Sequence, residues 1–464
     1  MALAEVSSTA MGDYLKYICR GSVYNNLNAE SNLWDMVQRE FKEDAASGRS
    51  VEYDLLTAYG MAASQFVGTG TVGDYPLGVD STMELPVAKY REHAVTIQVP
   101  QTVLNLAKDD FGSYGRPIVK EVENKGFAHA RVLSSSIAQD GTGIIGTVDN
   151  ASGGASADAA VEGGKVRLYL DRDDTARGHI GNFFEGDYIG IGRSTATAAT
   201  INGGTAVTAW RVDDIDRVND GLLLAPLNSS YGAITVTSIS GDDPKDADWM
   251  RRSGTTYVQG SAVTEGTTDI SQLTEMWPGF EAYAGTTGHK IWTVAHQGTL
   301  KASVYDVGST NTLIDPQHIR TALTQCKNRI GQNKYKYKYA WMAPETEDAL
   351  AEEHESDRVF NSHSDGTRGV PQLSYSHRKD MVMYEVDEFI RKDRIYIMPQ
   401  SDIFSFLGGN FEFVETESGQ VWSLKGSSTA GRTSRMQQAF MEGTGTFYCR
   451  HPAAFIVLRN FGLS

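Results

Sequence analysis

The sequence predicts an α+β protein built from several units, and three observations carry that prediction. Two segments of alternating apolar and polar residues flank a glycine- and proline-rich stretch, which reads as a long β-hairpin. A single amphipathic helix of twenty-odd residues follows. A region rich in Gly, Ala, Ser and Thr, with short apolar runs, then gives way to mixed strand and helix patterns from about residue 290.

Residues 1–50 read as an extended arm with little capacity to build a core. It carries one short amphipathic helix, "NLNAESNLWDMVQREFKED", with Leu33, Trp34, Val37 and Phe41 near one face. "VEYDLL" then alternates Val51, Tyr53 and Leu55 against Glu52 and Asp54. The return segment alternates Val95, Ile97 and Val99 against Thr96 and Gln98. The expected hairpin spans 51–100, with "QFVGTGTVGDYPLG" in its tip. A two-stranded ribbon is barely stable alone in water, so this one is expected to lie on a partner.

That tip contains a literal G-x-G-x-x-G at Gly68, Gly70 and Gly73, and "GTGIIG" at 141–146 repeats the spacing. A dinucleotide loop needs a strand before it and a helix starting inside it, so that the helix amides meet the pyrophosphate. Gly73 instead leads into Asp74, Tyr75 and Pro76, which break any helix. The second copy follows a helical stretch rather than a strand. Neither is read as a nucleotide site, and no cofactor is expected.

In "GRPIVKEVENKGFAHARVLSSSIAQ", Pro117 suits a first helical turn. Val119, Val122, Gly126, Ala130, Leu133 and Ile137 recur at helical spacing and give one apolar face. Residues 141–265 are punctuated by turn signals and read as a small all-β unit, with Asp213, Asp214, Asp216 and Asp220 in a solvated turn between strands. Their spacing is not that of an EF-hand loop. Further on, "HKIWTVAH" reads as a buried strand. Asp315 caps a helix that Pro316 opens and Gly331 ends. Lys334, Lys336 and Lys338 alternate with Tyr335, Tyr337 and Tyr339; on a strand the two sets face opposite ways, which argues against one surface for single-stranded nucleic acid. "PETEDALAEEHESD" reads as an acidic helix, and strands close the chain on either side of Arg450, His451 and Pro452.

Composition narrows the function classes. The 58 acidic residues outnumber the 42 basic ones for a net charge of −16, which opposes a general nucleic-acid binder. Cys19, Cys326 and Cys449 are far apart and odd in number, so they are expected to be free thiols in a reducing compartment. Cys449 and His451 are the one close Cys/His pair, and two ligands do not make a metal site. No stretch approaches the roughly 20 apolar residues of a membrane helix, and no signal-peptide pattern opens the chain. No G-x-S-x-G, Walker A or H-E-x-x-H motif occurs, so no metal ligand or catalytic residue is assigned and the chain is not read as an enzyme.

The order of these parts resembles the major capsid protein of tailed bacteriophages, the Hong Kong 97-like fold. The segments that carry the resemblance are "GTGTVGDYPLGVDSTMELP", like an E-loop tip with its return strand; "KNRIGQNKYKYKYAWMAPETEDALAEE", like an axial-domain strand feeding a helix; and "AFMEGTGTFYCRHPAAFIVLRN", like the closing strands. The resemblance implies an N-terminal arm at 1–50, an E-loop at 51–100, a peripheral domain with its spine helix at 101–140, and an inserted β-rich domain at 141–265. An axial α/β domain at 266–420 and closing strands of both domains at 421–464 complete it. It also implies self-assembly into hexamers and pentamers of an icosahedral head shell around double-stranded DNA, bound without sequence specificity. The E-loop tip, with Gly68, Gly70, Gly73, Asp74, Tyr75, Pro76 and Asp80, would contact a neighbouring subunit. A portal, a decoration protein and a scaffolding protein on a separate chain are the further partners implied, with assembly in the host cytoplasm, the virion as location and no membrane. A bacterial encapsulin-type compartment shell and a β-rich tail component are the rival readings.

Overall fold

A computed structural model of the chain describes residues 32–43, 50–58, 82–100, 111–141, 143–148, 159–170, 180–192, 200–201, 205–207, 209–216, 221–227, 233–235, 249–252, 269, 276–284, 290–295, 300–331, 334–355, 374–377, 380–399, 403–408, 411–415, 421, 423–424 and 436–462. In chain order the first elements are helix α1 (Asn32–Met36), continued by a π-turn at Val37–Phe41, and strands β1 (Ser50–Glu52), β2 (Leu55–Ala58), β3 (Thr82–Glu84), β4 (Val87–Lys89) and β5 (Arg91–Pro100). The 28-residue helix α2 (Phe111–Ala138) follows. Next come β6 (Gly146–Thr147), β7 (Ala159–Glu162), β8 (Lys165–Tyr169), β9 (Tyr188–Gly192), β10 (Ala209–Asp216), β11 (Gly221–Leu227) and β12 (Trp249–Arg252). After helix α3 (Phe280–Ala284) the order is β13 (Ser303–Leu313), α4 (Pro316–Ile330), β14 (Tyr337–Met342), α5 (Pro344–Glu355), β15 (Ser374–His377), β16 (Asp380–Val386) and β17 (Arg394–Pro399). Strands β18 (Phe404–Gly408), β19 (Met436–Cys449) and β20 (Ile456–Gly462) end the described chain.

These elements fall into two compact units, each discontinuous in sequence. One draws on Met1–Ser47, Tyr90–Ile137 and Phe406–Phe447, the other on Gly48–Lys89, Ala138–Ser405 and Tyr448–Ser464. The first unit is organised by β19, which pairs antiparallel with β5 from Met436 opposite Pro100 to Gly445 opposite Arg91. This differs from the sequence expectation: the hairpin's return limb ends at Lys89, and the alternating segment around Val95 and Ile97 pairs with β19 instead. Its pleat explains the choice. Arg91 and Ile97 are buried while Glu92, Ala94 and Thr96 face water, so the strand has one face to cover and needs a partner sheet.

Helix α2 meets β5 where His129 touches His93, and it buries Val122, Gly126, Ala130, Leu133 and Ile137, the face the periodicity predicts; Val119's side chain lies outside the described set. The helix begins before Pro117, which therefore sits inside it rather than in its first turn. The short helix α1 and its π-turn bury Leu33, Trp34, Met36, Val37 and Phe41, so this part of the arm contributes to a core after all. The Trp34 amide donates to Ser134 Oγ at 3.2 Å, and its ring meets Phe406 edge-on at 5.3 Å.

The second unit contains two larger sheets. Seven strands in the order β6-β12-β9-β10-β11-β8-β7 enclose an apolar core that includes Val166, Leu168, Phe183, Ile189, Trp210, Val212, Leu222, Leu224 and Met250. Asp213, Asp214 and Asp216 lie within β10 rather than in a turn, and Asp220 is outside the described residues. Asp213 is held by Arg211, two residues away on the same strand, at 2.6 Å and by Lys165 of β8 at 2.8 Å. "GTGIIG" is explained by packing. Gly141 has a φ of +79°, and a Cβ there would come within 2.9 Å of the Trp277 carbonyl oxygen and Pro278 Cα.

The other sheet has the order β13-β20-β17-β14-β16-β15, with β13/β20 and β14/β16 parallel. Helices α4 and α5 cover one face through Ile319, Leu323, Cys326 and Leu350. Asp315 caps α4 by accepting from the Gln317 amide at 2.7 Å, and Gly331 ends it with a φ of +101°. "HKIWTVAH" is not one strand: Lys290–Ile291 and Val294–Ala295 pair across a turn at Trp292 and Thr293, both at positive φ.

Inside this core Lys327 Nζ pairs with Asp380 Oδ2, and the Tyr337 amide donates to Asp380 Oδ1 at 3.2 Å. Both charged side chains are buried, so each depends on the other. Asp380→Ala, which leaves an uncompensated ammonium, should cost about 3–5 kcal/mol in urea unfolding. Lys327→Met with Asp380→Leu should cost less than that single change, since the apolar pair removes both desolvation penalties.

Candidate functional site

The seven residues expected at the hairpin tip, Gly68, Gly70, Gly73, Asp74, Tyr75, Pro76 and Asp80, all lie outside the described residues. What is described is the stem from which they extend. Strands β1 and β4 pair Ser50 with Lys89, Val51 with Ala88 and Glu52 with Val87. Strands β2 and β3 pair Leu55 with Glu84 and Leu56 with Met83, then slip at a bulge before Ala58. The Tyr53 amide donates to the Pro86 carbonyl at 3.3 Å and joins the two short ladders.

The stem is anchored on one side only. Tyr53, Leu55 and Ala88 are buried, and the Tyr53 ring lies 4.5 Å from that of Tyr448. Burial, with Cys449 and Tyr448 adding to it, pushes the Tyr53 phenol well above its usual range, so it stays neutral. On the return limb, Met83 and Leu85 are 62% and 59% exposed. Covering a side chain of this size is worth about 1.5–3 kcal/mol, which the second unit leaves unrealised at both positions.

A second constellation was not legible in the sequence. In the first unit, His93 from β5 and His129 from α2 meet with Nδ1 and Nε2 2.8 Å apart, and the Phe411 ring stacks on both. Gly443 of β19 makes room, since a Cβ there would collide with the His93 ring. A bond between two ring nitrogens requires one protonated and one bare nitrogen. Burial holds the pair in the neutral state: it lowers His93 to about 4 and His129 well below its usual value, with His93 adding to the shift on His129. Two imidazoles do not make a metal site, and no group of three or more potential ligands occurs among the described residues. The residues lie 36 apart in sequence, and nothing in the local pattern of either pointed to the other.

The remaining expectations resolve as follows. Cys326 and Cys449 are buried free thiols, both raised in pKa by burial, while Cys19 is outside the described residues. His451 is exposed and its ring lies near Tyr335. Tyr337 and Tyr339 are buried and Lys336 faces outward, the split that alternation predicts. No described helix is long and apolar enough to cross a membrane.

No family profile matches the sequence, and no curated protein matches it. Among solved structures, the chain is similar to the capsid asymmetric unit of cyanophage A-1(L), at 9% identity over 93% of each chain with a TM-score of 0.46. It is similar to the procapsid of satellite phage P4 that includes the size-determination protein, at 8% identity over 96% of this chain and 99% of that one, TM-score 0.38. It is similar as well to the capsid of a native GTA particle, at 8% identity over 93% and 91%, TM-score 0.38.

The histidine pair makes a prediction about acid stability. Folded His93 resists protonation to about pH 4 and burial keeps His129 neutral as well, whereas unfolded histidines take up protons below about 6.5. Stability from these groups is therefore complete above that range and is lost as the pH falls from 6.5 towards 4. Wild type should lose about 1–3 kcal/mol more over that interval than a His93→Gln/His129→Gln double variant, measured by urea unfolding at each pH.

Proposed function

We propose that this chain is the major capsid protein of a tailed bacteriophage and that copies of it assemble into an icosahedral head shell around double-stranded DNA. The observation that carries the reading is the order and closure of its parts. A hairpin stem precedes a 28-residue helix, and a seven-stranded sheet comes before a helix-covered mixed sheet. The C-terminal segment then returns to supply β19 to one unit and β20 to the other. On this reading β1–β4 form the stem of the E-loop, α2 the spine helix, β6–β12 an inserted domain and β13–β17 with β20 the axial domain of a Hong Kong 97-like fold.

Within this reading the exposed Met83 and Leu85 are covered in the shell rather than in the monomer, and the tip from Gly68 to Asp80 lies over an adjacent copy. The role is structural and no catalytic step is assigned. A portal, a decoration protein and a separately encoded scaffold complete the head. The net charge of −16 suits an inner wall that encloses DNA without gripping it.

Negative-stain microscopy of the purified protein, with its scaffold where one is required, should show closed polyhedral particles. Replacing residues 68–80 with a tight Asn-Gly turn should leave the thermal transition of the monomer nearly unmoved and abolish those particles. The double change Met83→Ser/Leu85→Ser offers a milder version of the same test. It should alter monomer stability by no more than about 0.5 kcal/mol, as expected for exposed positions, while lowering particle yield. Normal particles from the shortened hairpin would refute the E-loop assignment.

A further inference from the structure

The helix-covered sheet of the second unit carries opposite charges at its two sides. At one side, a groove of about 290 Å³ opens between β13 and α4, lined by Lys301, Ser303, Gln325 and Arg329 among others and by no carboxylate. Arg329 Nη1 donates to the Ala302 carbonyl at 3.2 Å and to Ser303 Oγ at 3.3 Å, which fixes the guanidinium at the lip of the groove. At the other side, α5 and the neighbouring β16 gather Glu347, Asp348 and Glu385. Burial raises the Glu347 carboxyl above its usual range, and the neighbouring carboxylates of Asp348 and Glu385 add to the shift. Glu345, on the same helix, already has a cation, Lys392 at 3.2 Å.

One copy cannot bring these features together. In the sheet order, β13 and β16 are separated by β20, β17 and β14, which places them roughly 19 Å apart at the usual spacing between strands. Two different, complementary patches on one chain define a heterologous interface, which generates rings when its rotation closes. We propose that successive copies join head to tail, with the carboxylates of Glu347, Asp348 and Glu385 on one copy seated at the Lys301–Arg329 groove of the next. The partner is a second copy of this chain, and the inference rests on the shell reading for the rings in which such contacts repeat. Complementary charge fixes register and partner choice at such a contact, and reversing one side converts attraction into repulsion.

A charge-swap series tests this. Lys301→Glu/Arg329→Glu and Glu347→Lys/Asp348→Lys are made separately, then combined in one chain, and circular dichroism with thermal melting identifies folded variants. Each separate variant should reduce particle yield by roughly tenfold or more. The combined chain, whose groove is acidic and whose helix is basic, should recover much of that loss. An equimolar mixture of the two separate variants should assemble better than either alone, because alternating copies are again complementary. Separate variants that assemble like wild type, or a combined chain as poor as its parents, would overturn the pairing.

Carbodiimide coupling of wild type mixed from isotopically heavy and light chains gives a readout that does not depend on variant folding. Mixed-isotope cross-links joining Lys301 to Glu347, Asp348 or Glu385 are expected, and their absence would reject the pairing. Closed particles without those cross-links would reject the pairing and leave the shell reading intact. The cross-links without closed particles would do the reverse.

Discussion

The ladder between β5 and β19 is the constraint on which both units depend, because it ties residues more than three hundred positions apart in the chain. Everything between them must leave the first unit and come back. Helix α2 meets β5 where His129 touches His93, and it buries Val122, Gly126, Ala130, Leu133 and Ile137. The second unit is closed by the same segment a few residues later, where β20 enters between β13 and β17. Loop closure over such distances costs only slowly more as the loop lengthens, but contacts of this separation fold late and slowly. Neither the ladder of the first unit nor the helix-covered sheet of the second is complete until Met436–Gly462 has been made, so the chain passes through a stage in which unpaired strand edges are exposed. If copies associate as proposed, that stage is the one at which misassembly competes with folding.

How far the sequence disclosed this follows from the range of the interactions involved. Elements specified by neighbours within one turn or one pleat were legible. Asp315, Pro316 and Gly331 bound α4 because capping is a local hydrogen-bonding problem, and the Lys/Tyr alternation read the faces of β14 because side chains alternate along any strand. The apolar face of α2 was legible for the same reason. Pairing was not. Val95 and Ile97 announce a strand but do not say which strand it joins, so proximity favoured the hairpin when the partner was β19. Trp292 and Thr293 take positive φ in a turn, a conformation that β-branched and bulky residues rarely adopt, and "HKIWTVAH" therefore read as a single strand. The aspartates of β10 looked like a turn because two of the basic side chains that pair with them, Lys165 and Arg167, come from another strand, with Arg211 of β10 itself as the third.

The candidate sites divide along the same line. The first limb of the hairpin stem was legible because Val51, Tyr53 and Leu55 alternate with Glu52 and Asp54, while the extent of its return limb was not. Nor was the exposure of Met83 and Leu85, since the same two residues in a pleated segment are as often buried. The histidine pair depends on a strand, a helix and the missing side chain of Gly443, three elements that only the folded chain assembles. The charged groove and the carboxylate cluster were visible only as ordinary polar residues of separate helices and strands. Their opposition becomes meaningful once the strand order places them on opposite sides of one sheet.

Charge then bears on assembly in two ways of opposite sign. Copies carrying a net −16 repel one another at long range, and that repulsion is screened beyond about 8 Å at physiological ionic strength. A groove lined by Lys301 and Arg329 acts within contact distance, where partial desolvation protects its attraction from the same salt. Moderate salt thus removes the force that keeps copies apart before it weakens the one that orients them. Hydrophobic cover over Met83 and Leu85 is indifferent to charge and supplies cohesion without direction. A head-to-tail ionic contact supplies direction with little cohesion, because solvent-exposed pairs are worth about 1 kcal/mol or less. In the proposed shell, division of the two tasks between the hairpin and the charged patches would let weak contacts select the right neighbour and detach from wrong ones, while buried apolar area holds the assembly together.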